Sequence, residues 1–126
     1  MDRRLISSGS AFEHSGGYSR AVAVDRWVFV SATSGYDYTT MTVPEDVIEQ
    51  TRQTLRNIAS ALEQAGASLK DVVRIQAFVA DAGDWPRISG VFAEIFQDIR
   101  PALTATVCGM IVPRIKLEIE ALAIKA

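Results

Sequence analysis

The sequence has 126 residues, of which 48% are hydrophobic and 22% charged, with a formal net charge of −2. That length suits a single domain over residues 1–126 with a true core, and the acidic balance, with no basic stripe beyond Arg3 and Arg4, argues against a nucleic-acid partner. One cysteine, Cys108, excludes an intrachain disulfide and a thiolate metal cluster. No run approaches the ~20 apolar residues of a membrane span, and residues 1–6 lack the apolar stretch of a signal peptide, so the expectation is a cytoplasmic protein with no membrane partner.

In chain order, residues 1–17 hold Ser7, Ser8, Gly9, Ser10, Ser15, Gly16 and Gly17 and read as an extended or looping lead-in. Tyr18 to Val24 alternates, Asp25 and Arg26 make a tight connection, and Trp27 to Thr33 completes a hairpin. Ser34 to Met41 reads as a loop. Thr42 and Glu45 have the spacing of a capping box, and Pro44 is tolerated in a first helical turn. Ile48, Thr51, Leu55, Ile58, Leu62 and Ala65 then mark one face of a long amphipathic helix, which Gly66 stops. Val72 to Ala80 is a third strand. Asp84 caps a second helix with the stripe Ile88, Val91, Phe92, Ile95, Phe96 and Ile99, and Pro101 ends it. Two last strands, Thr104 to Val112 and Ile115 to Ile124, are joined tightly around Pro113 and Arg114.

The fold class is therefore α+β, a β-sheet packed on two helices in the order strand, strand, helix, strand, helix, strand, strand. Two helices cover one sheet face. The other should be polar, yet residues 27–30, 107–112 and 122–124 are apolar on both sides, as strands buried on both faces are. An uncovered apolar face marks association, here with copies of the same chain.

Few residues offer chemistry. Lys116, Glu118 and Glu120 share one face of the last strand, with the two carboxylates roughly 7 Å apart by strand rise. One reading makes a glutamate a general base whose pKa is lifted by partial burial; the other is a solvated edge with a Lys–Glu pair. Leu122 and Ile124 share that face, which places a glutamate where wet surface gives way to apolar surface. His14, the only histidine, lies among glycines and serines with no spaced metal partner, and Cys108 reads as a buried, inert thiol. Gly16 and Gly17 precede a strand rather than opening a helix, so no phosphate loop is present. Neither a metal nor a cofactor is expected.

Read together, Gly17-Tyr18-Ser19-Arg20-Ala21-Val22, Val28-Phe29-Val30-Ser31, Glu49-Gln50-Thr51, Ala65-Gly66-Ala67-Ser68 with Asp71-Val72-Val73, Arg100-Pro101-Ala102 and Glu118-Ile119-Glu120-Ala121 resemble, in order and spacing, the RidA/YjgF family of imine and enamine deaminases. The resemblance runs from about Ile6 to Ala123. It implies a chorismate-mutase-like α+β fold with a mixed sheet and a homotrimer with ligand clefts between subunits. In active members an imine bearing a carboxylate is hydrolysed to a 2-oxo acid and ammonia. Carried over by residue, Glu120 positions or activates water and Tyr18 completes the pocket, with Ser31 and the backbone at Ala32 beside it. Four positions depart from the pattern. Leu103 stands where the family has an arginine that grips the carboxylate, Ala32 replaces a glycine, Ser89 replaces an asparagine, and Arg20 replaces a glutamine.

A neutral Leu103 favours a more apolar or uncharged ligand, unless Arg20 supplies a relocated clamp rather than lying on the surface. The leading expectation is a trimer acting on a small imine, enamine or carbonyl metabolite. The alternative is a non-catalytic small-ligand-binding or regulatory trimer. RNA cleavage, sometimes attached to this family, is disfavoured by the acidic balance.

Overall fold

The computed structural model describes residues 2–126. Its elements are β1 (Arg3–Ile6), α1 (Ala11–Gly16), β2 (Ala21–Val24), β3 (Trp27–Thr33), α2 (Val47–Gln64), β4 (Val72–Val79), α3 (Trp85–Phe96), β5 (Ala102–Val107) and β6 (Leu117–Ile124). The six strands form one mixed sheet in the order β1-β2-β3-β6-β4-β5, antiparallel throughout except for the parallel pair β4 and β5. The α+β class holds, with three helices rather than two.

Both long helices lie on one face of the sheet because their apolar stripes match the strands beneath. Leu55, Ile58, Ala61 and Leu62 of α2 and Ile88, Val91, Phe92 and Phe96 of α3 are buried. They meet alternate strand residues, among them Val28, Val30, Ile75, Ala77, Leu117, Ile119 and Ala123, in one continuous core. Burying a side chain of this size contributes roughly 2 kcal/mol against exposure, so this face carries most of the stability.

Several local expectations change. The lead-in is structured: β1 pairs with β2, and α1 begins at Ser10, whose hydroxyl accepts the Phe12 amide at 3.2 Å. Serine-rich composition suggests a loop, but a serine is also a strong helix cap. The strand expected from Tyr18 starts at Ala21, because Gly17 turns left-handed at φ +72° and the Tyr18 amide still bonds back to Glu13. The Thr42–Glu45 capping box is absent. Asp46 caps α2 instead, accepting the Glu49 amide at 3.0 Å, while Thr42 bridges back to Asp37. Gly66 does end the helix region in the left-handed conformation, φ +81°.

The largest correction concerns the final strands. They are not a hairpin. β5 runs parallel to β4 at the sheet edge, as a helical crossover through α3 requires, and β6 inserts between β3 and β4. Residues 108–116, read as strand and tight turn, form an irregular connection that carries the chain past β4. Cys108 accordingly follows β5 and is half-buried rather than enclosed in a strand.

Candidate functional site

Strand alternation sends every second side chain to the face the helices leave open. Its rows follow from the register. Val24, Trp27 and Ile124 form the first row; Val22, Phe29, Leu122 and Arg74 the second; Glu120 and Gln76 pair in the third; Glu118 and Phe78 in the fourth. Trp27 is 43% exposed and Phe29 50% exposed, and their rings stack at 6.3 Å. The face is apolar at one end and carboxylate-bearing at the other. Glu120 stands at the change, as the sequence pattern suggested.

There the sheet holds a cleft of about 390 Å³, whose lining includes Ser31, Arg74, Gln76 and Glu120 above Phe29 and Leu122. The register of β3 and β6 shifts between Val30 and Thr33, a bulge that re-aims the residues between them. Ser31 is fixed there by its amide, which donates to the Arg20 carbonyl at 2.9 Å, and by its hydroxyl, which donates to the Ser19 carbonyl at 2.7 Å. The lone pairs of that hydroxyl remain available to a ligand's donor. Val22 and Ser31 also line a wider groove running to Tyr18, His14 and Glu13. Ser31 is thus shared by the regions of Glu120 and Tyr18. Exposed Tyr18 overhangs the groove from just beyond the α1 cap.

Arg20 lies elsewhere. It is only 5% exposed, so it is not a surface residue. One guanidinium nitrogen donates to the Ala32 carbonyl at 2.8 Å and to the Thr33 hydroxyl at 3.1 Å. Its Nε faces the Glu13 carboxylate at 3.7 Å, close enough for an ion pair but without a hydrogen bond. The rings of Tyr18 and Tyr38 flank it at 5.7 and 5.8 Å. With Asn57, Ser60 and Gln64 of α2 it lines a small polar recess rather than the Glu120 cleft. Ala32 contributes the carbonyl that holds it.

Leu103 and Ser89 fall on the opposite side of the sheet. Leu103 pairs in register with Ile75, whose side chain is in the helix-covered core, and lines a groove with Phe92, Phe96, Arg100 and Pro101. Ser89 stands one turn before Phe92 on α3, its hydroxyl donating to the Pro86 carbonyl at 3.2 Å. Apart from Arg20 and Ala32, the candidates within one chain fall on the two sides of the sheet. Glu120, Ser31 and Tyr18 lie on the open side; Leu103 lines the groove between α3 and the β5 edge, and Ser89 lies on α3 on that same side. The sheet separates the two patches within one copy.

The two glutamates are not equivalent. Burial pushes the Glu118 carboxyl above its ordinary range, with the Arg20 charge opposing. Glu118 stands opposite half-buried Phe78, whereas Glu120 faces the polar Gln76. The Lys–Glu edge pair does not form, since the Lys116 ammonium donates to the Glu45 carbonyl. Sequence reasoning missed Arg74 and Gln76, whose signal was their even-numbered alternation on β4. It also missed the work of Gln50. Fully buried, this side chain donates to the Pro44 and Arg114 carbonyls at 2.7 and 3.0 Å and accepts the Lys116 amide at 3.0 Å, fixing the entry to β6. Among the described residues no three metal-ligating side chains come together, and no helix is long and apolar enough to cross a membrane.

Comparison with known proteins gives a consistent picture. The sequence model of the family described as Endoribonuclease L-PSP matches residues 8–125. A 2-iminobutanoate/2-iminopropanoate deaminase of Capra hircus is 35% identical over 124 residues, covering 98% of this chain and 90% of that protein. The crystal structure of Rv2704 from Mycobacterium tuberculosis, described as a member of the YjgF/YER057c/UK114 family, superposes with a TM-score of 0.90 at 41% identity, covering 98% of this chain and 99% of that one. Escherichia coli TdcF, solved with bound serine, superposes with a TM-score of 0.88 at 26% identity, covering 98% and 99%.

Proposed function

Since the chain belongs to the RidA/YjgF family, we propose that it hydrolyses a small imine or enamine, releasing ammonia and the corresponding carbonyl compound, in clefts at the seams of a homotrimer. The observation that carries this reading is Glu120. A carboxylate stands in a cleft at the border between the apolar and polar parts of an uncovered sheet face, with Ser31 beside it. The apolar end of that face suits burial against another copy, which leaves the carboxylate at the seam. A neighbouring copy then brings its Leu103 edge to the same seam, uniting the two patches. Its single cysteine suits a reducing cytoplasm.

In chemical terms, Glu120 takes a proton from water as the water oxygen bonds to the carbon of the protonated imine and the C=N electron pair moves to nitrogen. The neutral carbinolamine so formed collapses when Glu120 returns its proton to that nitrogen. The C–N bond breaks as C=O forms, and the hydroxyl proton passes to the departing ammonia, which leaves as ammonium. Ser31 and Tyr18 offer hydrogen bonds to the polar end, and Leu103 walls the cleft.

The test is the lifetime of 2-iminobutanoate generated in solution. Wild-type protein is expected to shorten it, and Glu120→Gln to lower the catalysed rate by a hundredfold or more. No acceleration by the wild type overturns the deaminase reading. It would favour the alternative, a small-ligand-binding trimer, for which neutral Leu103 in place of a charged clamp speaks. Ribonuclease action, which the family description names, would require a basic track for phosphates. The cleft instead holds one arginine and one glutamate among its lining residues.

A further inference from the structure

We propose that Arg74 is the anion-binding residue of the Glu120 cleft, so that the cleft takes ligands with an anionic end and an N–H end a few bonds apart. This rests on the Glu120 cleft being the ligand site. The case is geometric. Arg74 of β4 stands opposite Leu122 of β6, one open-face position before Gln76, which stands opposite Glu120. Arg74 and Glu120 are therefore diagonal neighbours on one face, a relation that sets side-chain origins on the order of 7 Å apart. Both line the cleft.

Within one copy Arg74 is uncommitted. It is exposed, and among the described residues no carboxylate lies within ion-pair distance of it; the ion pairs present use Arg20, Arg52 and Arg87. The contrast with Arg20 is complete, since that guanidinium is spent on Glu13, Ala32 and Thr33. A guanidinium left free in a cleft, with its planar fork unfilled, is a ready site for a carboxylate. Leu122, opposite Arg74 and next to Glu120 on the same face, is the apolar wall between the two charges and weakens competition from water. A molecule bound to Arg74 by its carboxylate would extend its nitrogen past this wall toward Glu120 and the Gln76 amide. Leu103 then has no charge to supply, because the cation comes from the other patch.

The experiment is a calorimetric titration of the assembled protein with 2-oxobutanoate and, separately, its methyl ester. Wild type, Arg74→Gln, Arg74→Lys and Arg100→Gln are compared, the last altering the arginine beside Leu103. Arg74→Gln is expected to raise the Kd for the acid tenfold or more and leave the ester's unchanged. Arg74→Lys should recover part of the loss, and Arg100→Gln should bind like wild type. Unchanged acid binding in Arg74→Gln, equal losses for acid and ester, or a loss that follows Arg100 instead would each overturn the proposal. Wild type binding neither compound would count against the cleft itself, and so against both readings.

Discussion

At Glu13 burial alone would raise the carboxyl, but hydrogen bonds from the Ser8 side chain and amide, a further one from Ser7, and the Arg20 charge together hold it below its ordinary range. A depressed folded-state value means that the ionised group stabilises the fold above the unfolded carboxylate range, and that this is lost as pH falls through the folded value. Glu13→Gln should therefore melt below wild type at pH 7, and the gap should close as the pH falls below the ordinary carboxylate range. Glu118 has the opposite sign. Its raised value means that ionisation opposes folding, so Glu118→Gln should melt above wild type at neutral pH and lose that advantage in acid. Thermal melts across pH check both, and parallel curves would contradict the assignment. The sequence placed Glu118 and Glu120 on one face; it could not separate them, because burial depends on Phe78 and Gln76 of another strand.

At the scale of elements, the hairpin of β2 and β3 and the two long helices were legible because each carries its own period. The placement of β5 and β6 was not. Both are short alternating runs that fit a hairpin or a crossover equally, and only pairing with β4, more than twenty residues earlier, decides. Gln50 decides it in part. Its amide ties the start of α2 to Arg114 and Lys116, so the chain enters β6 at one point. Nothing local in Glu49-Gln50-Thr51 announces partners more than sixty residues away. Gln50→Ala leaves three partly buried backbone groups without their partner and should cost about 2 kcal/mol in denaturant unfolding; a loss under about 0.5 kcal/mol would mean that water replaces the amide. Gly35 adds to the same junction, since a Cβ there would stand 2.7 Å from the Gln50 carbonyl oxygen.

For the whole molecule, the open face is the feature on which function turns. The doubled apolar pattern in β3 and β6 made it visible in the sequence, and the structure leaves Trp27, Phe29 and Leu122 uncovered by either helix. Phe29→Glu, which leaves the helix-side core untouched, should shift the mass in light scattering from trimer to monomer; an unchanged mass would remove this face from the interface. The division of site residues between the open face and the β5 edge was not legible, because it needs the register of all six strands. It makes the central claim, a site completed only between copies, open to complementation. Glu120→Gln removes the carboxylate from one patch, and Leu103→Trp blocks the other. Each trimer alone should be inactive on 2-iminobutanoate. Unfolded together in equal amounts and reassembled, they should regain about one quarter of wild-type activity, because random assortment leaves about that share of seams with both native patches. Mixed trimers that form but stay inactive would contradict the shared site.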